Sequence, residues 1–299
     1  MKWGVPQGSV LGPILFNVYI NDLFALPLRA SVIGYADDTS LMYSGDKVKK
    51  LSEIIREDME LMALWFRNNY LHLNINKCKA VVYAYKTPDW IDSLRIKVGE
   101  NVIEKVSEIK YLGLILDEKL TWQSHSEYLQ AKLRNKNYLF YQLKNHLQKP
   151  YLKRIHKPLY ESIMNYGIIH WGGSKHIKAI KVLQNKVART ILSLHPRTTE
   201  SEIYPNLGAV GLEDLYKTRL LVFIFKNKRL FQLHNTEQVH TRRGGTMMSA
   251  YPKWIKFHSR LQARYRGYEL YNALPVKIRE ERRLAAFKKQ IREWVEMDG

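Results

Sequence analysis

Ser31-Val32-Ile33-Gly34-Tyr35-Ala36-Asp37-Asp38-Thr39-Ser40-Leu41-Met42-Tyr43 is the stretch that decides how this chain folds. Two runs rich in β-branched and aromatic residues flank a pair of adjacent acids, the pattern of a tight β-hairpin with carboxylates at its turn. A turn held between two apolar strands projects such carboxylates from a rigid platform. Hard oxygen ligands of this kind suit Mg²⁺, and two-metal nucleotidyl transfer sets its ions about 3.5–4 Å apart. Acidic pairs are also common at solvated turns, so the meaning of Asp37-Asp38 depends on its neighbours.

Upstream, Gly4-Val5-Pro6-Gln7-Gly8-Ser9-Val10-Leu11-Gly12-Pro13 precedes apolar residues at helical spacing, Ile14, Leu15, Val18, Tyr19 and Leu23. Pro13 suits the first turn of that helix, and Pro27 bounds it. Downstream, Asp46 is an expected N-cap for an amphipathic helix from Lys47 to about Asn68, with Val48, Leu51, Ile54, Ile55, Met59, Met62, Trp65 and Phe66 on its core stripe. Leu71–Tyr85 reads as a strand with a polar break, 96–106 as a hairpin around Gly99-Glu100-Asn101, and Ile109–Leu116 as a further strand. From Ser124 helices dominate, near 124–147, 151–166, 176–193, 212–231 and 282–296. Pro150, Gly172-Gly173, Pro196 and Gly244-Gly245 separate them. The expected class is α+β: an antiparallel sheet with packed helices, then a mostly helical remainder.

Composition narrows the function. The 299 residues include 19 Tyr, 7 Trp and 9 Phe, which excludes a disordered chain. The single cysteine, Cys78, excludes an internal disulfide framework and a cysteine-rich zinc site. No apolar run approaches the roughly 20 residues of a membrane span. The net charge is +20 and unevenly placed: residues 1–100 carry 12 Lys+Arg against 11 Asp+Glu, and the rest 36 against 17. A near-neutral first third joined to a remainder with an excess of 19 positive charges fits a catalytic piece followed by a polyanion-binding piece. A generally basic solvated surface, or one for anionic membranes, is the competing account.

The first two motifs, about 30 residues apart and in this order, resemble successive motifs of reverse transcriptases. With Leu15-Phe16-Asn17-Val18-Tyr19-Ile20-Asn21-Asp22-Leu23 they have the wording of LINE-type (non-long-terminal-repeat) retrotransposons. Leu71-His72-Leu73-Asn74-Ile75-Asn76-Lys77-Cys78-Lys79 is similar to the family's next palm motif. Lys110-Tyr111-Leu112-Gly113-Leu114-Ile115-Leu116-Asp117 is similar to its primer grip, with Leu120-Thr121-Trp122-Gln123-Ser124-His125 as the usual continuation. Gly167-Ile168-Ile169-His170-Trp171-Gly172-Gly173, Leu183-Gln184-Asn185-Lys186-Val187-Ala188-Arg189, and Leu274-Pro275-Val276-Lys277-Ile278-Arg279 with Phe287-Lys288 resemble the thumb and C-terminal segment of arthropod jockey-like elements.

The resemblance implies an organisation: residues 1–120 as part of a polymerase palm with the primer-grip hairpin, 121–200 as a helical thumb, 201–299 as a basic helical C-terminal segment. It implies Asp37 as principal Mg²⁺ ligand and Asp38 as auxiliary, with two ions in the complete enzyme. Gln7 and Gly8 would lie against template and nucleotide, Lys77 near the incoming triphosphate, and Tyr111, Leu112 and Gly113 against the primer. Partners would be an RNA template, an RNA–DNA hybrid or DNA primer, and deoxynucleoside triphosphates, within an intracellular ribonucleoprotein in nucleus or cytoplasm. The family carries another palm aspartate on a strand several tens of residues before Gln7-Gly8, and fingers before that. With both lying upstream of Met1, the chain is expected to be inactive alone, as a fragment of a larger polymerase. The alternative is a non-catalytic nucleic-acid-binding remnant. His125 is expected to pack at a helix start.

Overall fold

A computed structural model describes residues 8–45, 47–84, 94–228 and 263–298. The chain divides into two compact units: the first holds the residues up to Ile109 together with Glu118–Leu120, the second Lys110–Asp117 and the chain from Thr121 onward. Small sheets are confined to the region before residue 118 and helices prevail after it, so the class is α+β.

In the first unit α1 (Gly12–Ile20) continues into a 3-10 turn, Asn21–Ala25. Of the expected stripe, Ile14, Leu15, Val18 and Tyr19 are exposed and Leu23 is buried, together with Ile20. Strands β1 (Ser31–Tyr35) and β2 (Asp38–Met42) form the expected antiparallel hairpin, with Ser31 opposite Met42 and Tyr35 opposite Asp38. The long helix is α2 (Val48–Asn68); Asp46 lies outside the described residues, and Lys47 at the N-cap position makes no side-chain cap. Its stripe behaves as its 3.6-residue period requires. Ile55 and Met59 enter a core with Leu94, Val98 and Ile103, while Met62 and Trp65 enter another with Ile20 and Leu23. One helix thus spans two small cores. Asp58 sits buried between them, accepting hydrogen bonds from the backbone N–H groups of Arg29 (2.9 Å) and Ala30 (3.0 Å). Those two bonds fix the chain where it enters β1.

The strand expected over Leu71–Tyr85 does not form in its described part. A 3-10 turn occupies Ile75–Lys77, closed by Lys77 N–H to Asn74 O at 3.0 Å. Only β3 (Lys79–Ala80) pairs, in parallel, with β6 (Glu104–Lys105). The polar run Asn74–Lys79 favours local turns over a ladder. The second hairpin is present: β4 (Lys97–Val98) pairs with β5 (Asn101–Val102) around Gly99, whose φ is +58°.

Ile109–Leu116 is two strands rather than one. β7 (Glu108–Tyr111) pairs with β8 (Leu114–Asp117) across Leu112 (φ +44°) and Gly113 (φ +82°). Positive φ at both central residues is the requirement of a type I′ hairpin turn.

The rest of the second unit is a helical body: α3 (Gln123–Leu143), α4 (Lys149–His156), α5 (Ser162–Asn165), α6 (Ile168–Trp171), α7 (Ile177–Leu192), α8 (Glu200–Leu207), α9 (Leu212–Lys226), α10 (Ala263–Ala273), α11 (Val276–Arg279) and α12 (Leu284–Asp298). Pro150 does not separate helices; it occupies the first turn of α4, where a missing N–H is harmless. α4 runs through a π turn at Lys157–Glu161 into α5. α8, α10 and α11 were not among the expected helices; α8 carries Pro205 within it and α11 follows Pro275. Gly244-Gly245 lies outside the described residues. All this closes on one cluster that includes Phe140, Tyr160, Trp171, Ile191, Leu220 and Phe287.

Candidate functional site

Asp37 and Asp38 stand where the sequence placed them, at the tip of the β1–β2 hairpin. Ala36 and Asp37 make the two-residue turn and Asp38 is the first residue of β2. Ala36 takes φ +52°, the left-handed conformation such a turn demands. Both carboxylates are solvent-exposed, and neither forms an ion pair among the described residues. Their donor type fits a hard divalent cation, which binds through one or two carboxylates while keeping water and substrate oxygens. Their number is two: among the described residues no group of three or more His, Cys, Asp or Glu could hold a metal ion.

Gly8 is exposed at φ +85° with open space around its Cα, and Gln7 lies outside the described residues. Lys77 ends the 3-10 turn with its side chain in solvent. The turn shares a core with β2, since Ile75, Cys78 and Leu41 pack on the same cluster. Lys77 makes no ion pair with Asp37 or Asp38 among the described residues.

Tyr111, Leu112 and Gly113 belong to the second unit and are half-buried. Their turn is clamped from α5–α6. The Tyr166 hydroxyl donates to the Leu112 carbonyl, and a Cβ on Gly113 would stand 3.1 Å from the Tyr166 ring. A Cβ on Gly167 would stand 2.7 Å from Leu114. The Trp171 indole N–H donates to Tyr166 O at 3.0 Å, holding the clamp residue in place. The Gly167–Gly173 motif is therefore the seat of the hairpin turn. Asp117 fixes the hairpin's other end, accepting from the N–H of Thr121 (2.9 Å) and of Trp122 (2.8 Å). His125 accepts from Ile115 N–H at 3.3 Å, so it packs at the start of α3 and ties β8 to that helix. Burial, and then the charge of Lys132, lower its pKa to about 4 and keep the imidazole a neutral acceptor.

Gln184 and Asn185, from the second basic-region motif, are architectural as well. Gln184 donates to Val210 O at 2.9 Å, Asn185 donates to Glu200 at 2.9 Å, and the Tyr204 hydroxyl donates to both side-chain carbonyls. The charged surface lies elsewhere. Residues 128–160 hold eight lysines and arginines and no aspartate or glutamate, and they form most of α3 and all of α4. Tyr138, Tyr141 and Tyr151 stand 66%, 53% and 55% exposed among those cations. Solvent-exposed rings interleaved with cations suit stacking plus phosphate neutralisation.

Sequence reasoning missed Asp58, Tyr166 and Tyr128. An acid inside an amphipathic stripe and tyrosines far along the chain give no local signal, because their roles arise only in three dimensions. Among the described residues no helix is long and apolar enough to cross a membrane.

Residues 1–116 match the reverse transcriptase (RNA-dependent DNA polymerase) family. Three Drosophila melanogaster proteins are similar over longer stretches of the chain. The probable RNA-directed DNA polymerase from transposon BS is 32% identical over 206 residues, 64% of this chain and 22% of that protein. The corresponding protein of transposon X-element is 31% identical over 199 residues, 63% of this chain and 21% of that protein. The RNA-directed DNA polymerase from mobile element jockey is 29% identical over 203 residues, 63% of this chain and 22% of that protein. The chain spans about a fifth of the length of these curated relatives. No solved structure matches it.

Proposed function

We propose that this chain, a jockey-like reverse transcriptase of the LINE type, supplies the carboxylate hairpin, primer hold and nucleic-acid track of an RNA-directed DNA polymerase. The observation that carries this is the two-residue turn presenting Asp37 and Asp38 into solvent from a paired platform, within the region that matches the family. In the complete enzyme a primer 3′-hydroxyl attacks the α-phosphorus of a deoxynucleoside triphosphate. A P–O bond forms to the primer, the bond to the β-phosphate oxygen breaks, pyrophosphate leaves, and the hydroxyl proton passes to solvent. Divalent metal, Mg²⁺ in this reading, stabilises the charge that develops on the phosphate oxygens.

Asp37 is its principal holder here and Asp38 the auxiliary one. Lys77 lies toward the triphosphate and offers positive charge to the leaving group. Gln7 and Gly8 line the template and nucleotide. Tyr111–Gly113 orient the primer end, and residues 1–120, 121–200 and 201–299 act as partial palm, thumb and basic C-terminal segment on an RNA template with its hybrid or DNA primer.

Two carboxylates do not hold two metals by themselves, so the chain alone does not extend a primed RNA template. A longer polypeptide, in which the upstream segment of a jockey-type relative precedes this chain, extends it, and Asp37→Ala abolishes the extension. Templated extension that survives Asp37→Ala removes the assignment. The second reading, a non-catalytic nucleic-acid-binding protein, draws support from the basic, tyrosine-bearing stretch of residues 128–160, which holds no acid. It is favoured if the longer polypeptide binds hybrid and never incorporates nucleotide.

A further inference from the structure

Lys110, Tyr128 and Lys132 come together on the second unit, and neither packing nor folding accounts for their arrangement. Lys110 is the third residue of β7. Along that strand Ile109 and Tyr111 are half-buried while Glu108 and Lys110 face solvent, as the period of two dictates. Tyr128 and Lys132 are four residues apart on α3 and therefore stand on one face. The Lys132 ammonium lies 4.4 Å from the centroid of the Tyr128 ring and the Lys110 ammonium 5.1 Å from it.

An exposed cation–π contact is worth about 0.5–1 kcal/mol, and gathering a second ammonium on the same ring offsets part of that by like-charge repulsion. Neither lysine forms an ion pair among the described residues; the salt bridges of this unit use Lys181, Lys217, Lys289, Arg266 and Arg283. Glu127, the nearest acid along α3, is engaged by Gln123 at 3.1 Å. The phenol feels the two cations, which hold its pKa below the ordinary value, the hydrogen bond to Lys132 first. Two ammonium groups and the Tyr128 phenol thus meet at a solvent-open point, and among the described residues no carboxylate pairs with either ammonium. A tetrahedral oxyanion with several acceptor oxygens meets all three.

The place matters as much as the chemistry. Lys110 is two residues before Leu112, about 7 Å along the strand at 3.3 Å per residue, and the Leu112–Gly113 turn is fixed by Tyr166.

We propose that Lys110, Lys132 and Tyr128 form a tripod for a backbone phosphate of a nucleic-acid strand, one step along β7 from the Leu112–Gly113 turn. The proposal rests on the nucleic-acid reading of the chain and adds to it a specific contact. Because Lys110 is on the hairpin and Lys132 on α3, one phosphodiester bridges strand and helix. A strand so held has its register set against the turn, whichever base it carries, since phosphate contacts position without reading sequence.

The test uses the full chain and a short RNA–DNA hybrid, titrated across a salt series. The wild-type chain binds with a log–log salt slope of about −0.7 to −0.9 per phosphate contacted. The double variant Lys110→Gln/Lys132→Gln lowers the magnitude of that slope by about one contact, and Lys110→Arg/Lys132→Arg restores it. Lys217→Gln, which removes a lysine already paired with Asp214 at 3.2 Å, leaves the slope unchanged. Tyr128→Phe keeps the slope and weakens binding through loss of the phenol donor.

A double variant with the wild-type slope overturns the tripod while leaving nucleic-acid binding by the chain intact. Absence of any salt-dependent binding by the wild-type chain overturns the underlying reading and the tripod with it. A third arm adds deoxynucleoside triphosphate as competitor. Displacement of hybrid from the wild-type chain and not from the double variant would assign the phosphate to a free nucleotide and overturn the placement on a strand.

Discussion

Trp171, Phe140, Met164 and Tyr160 are fully buried in one cluster that gathers residues from α3 through α12. In the first unit the buried apolar residues split into two groups of four or five, and Val10, Leu11, Ile14, Val18, Ile33 and Tyr35 remain exposed. The unit holding the candidate carboxylates Asp37 and Asp38 is the one with the thinner core, and the other unit is a well-packed helical body. Burial of apolar surface is the main favourable term in folding, so the two units differ in local stability. Loops and hairpins that carry chemistry come from the less protected end of that range.

The contrast can be broken most directly by truncating side chains. Trp171→Ala and Phe140→Ala each cost about 3–5 kcal/mol, the range for large buried aromatics, and Val18→Ala, at a position 70% exposed, stays within about 0.5 kcal/mol. Urea denaturation measures both, and a Val18→Ala cost comparable to that of Phe140→Ala would end the contrast. Amide exchange sharpens it: protection over 177–192 approaches the global value, while that over 31–42 falls well short.

Acid is the next lever. His125 and His156 are buried in the helical unit, and burial lowers the pKa of each to about 4. Below the ordinary value near 6.5 the unfolded chain takes up protons that the folded unit refuses. Stability is therefore complete above pH 6.5 and falls as pH drops toward 4, at up to about 1.4 kcal/mol per pH unit for each histidine. Replacing His125 and His156 by Asn flattens the dependence between pH 6.5 and 4.5, and an unchanged slope in the double variant removes these residues as its source.

Smaller effects follow at the surface of the helical unit. Tyr166→Phe deletes the hydrogen bond to Leu112 O and costs about 0.5–1.5 kcal/mol, read as faster exchange at the β7–β8 turn with α7 unaffected. Lys144→Met removes an ammonium 4.5 Å from the exposed Tyr141 ring and costs at most about 1 kcal/mol. A Lys144 cost above that of Tyr166 would reverse the ranking.

Much of this was legible in one dimension because the relevant physics is local. Two strand-like runs around Asp37-Asp38 made the hairpin visible, and the stripe of Ile55, Met59, Met62 and Trp65 set α2. The errors have equally local causes. Asn74-Ile75-Asn76 diverted an expected strand into a turn, and Leu112 at positive φ split another, a conformation that a leucine does not advertise. The short helices α8 and α11 gave no clear helical signal, with Pro205 inside the one and Pro275 just ahead of the other. Of the candidate site, the carboxylates and the Leu112–Gly113 turn were visible as motifs. The Tyr166 clamp and the Lys110–Tyr128–Lys132 group were not, since they join residues 54 and up to 22 positions apart whose meeting depends on the packed fold.

The Tyr166–Leu112 bond, together with the reciprocal close approaches at Gly113 and Gly167, has a consequence for how such chains can be recombined. The turn is covalently an extension of the strand-rich region, yet its lock is made by residues more than fifty positions later. A chimera of two relatives with its crossover anywhere between residues 113 and 166 inherits a key from one parent and a lock from the other. A crossover before residue 108 transfers the pair whole. Exchangeable modules in this molecule therefore begin ahead of the hairpin, and swaps at the apparent boundary near residue 120 lose the turn's conformation even where both parental halves fold.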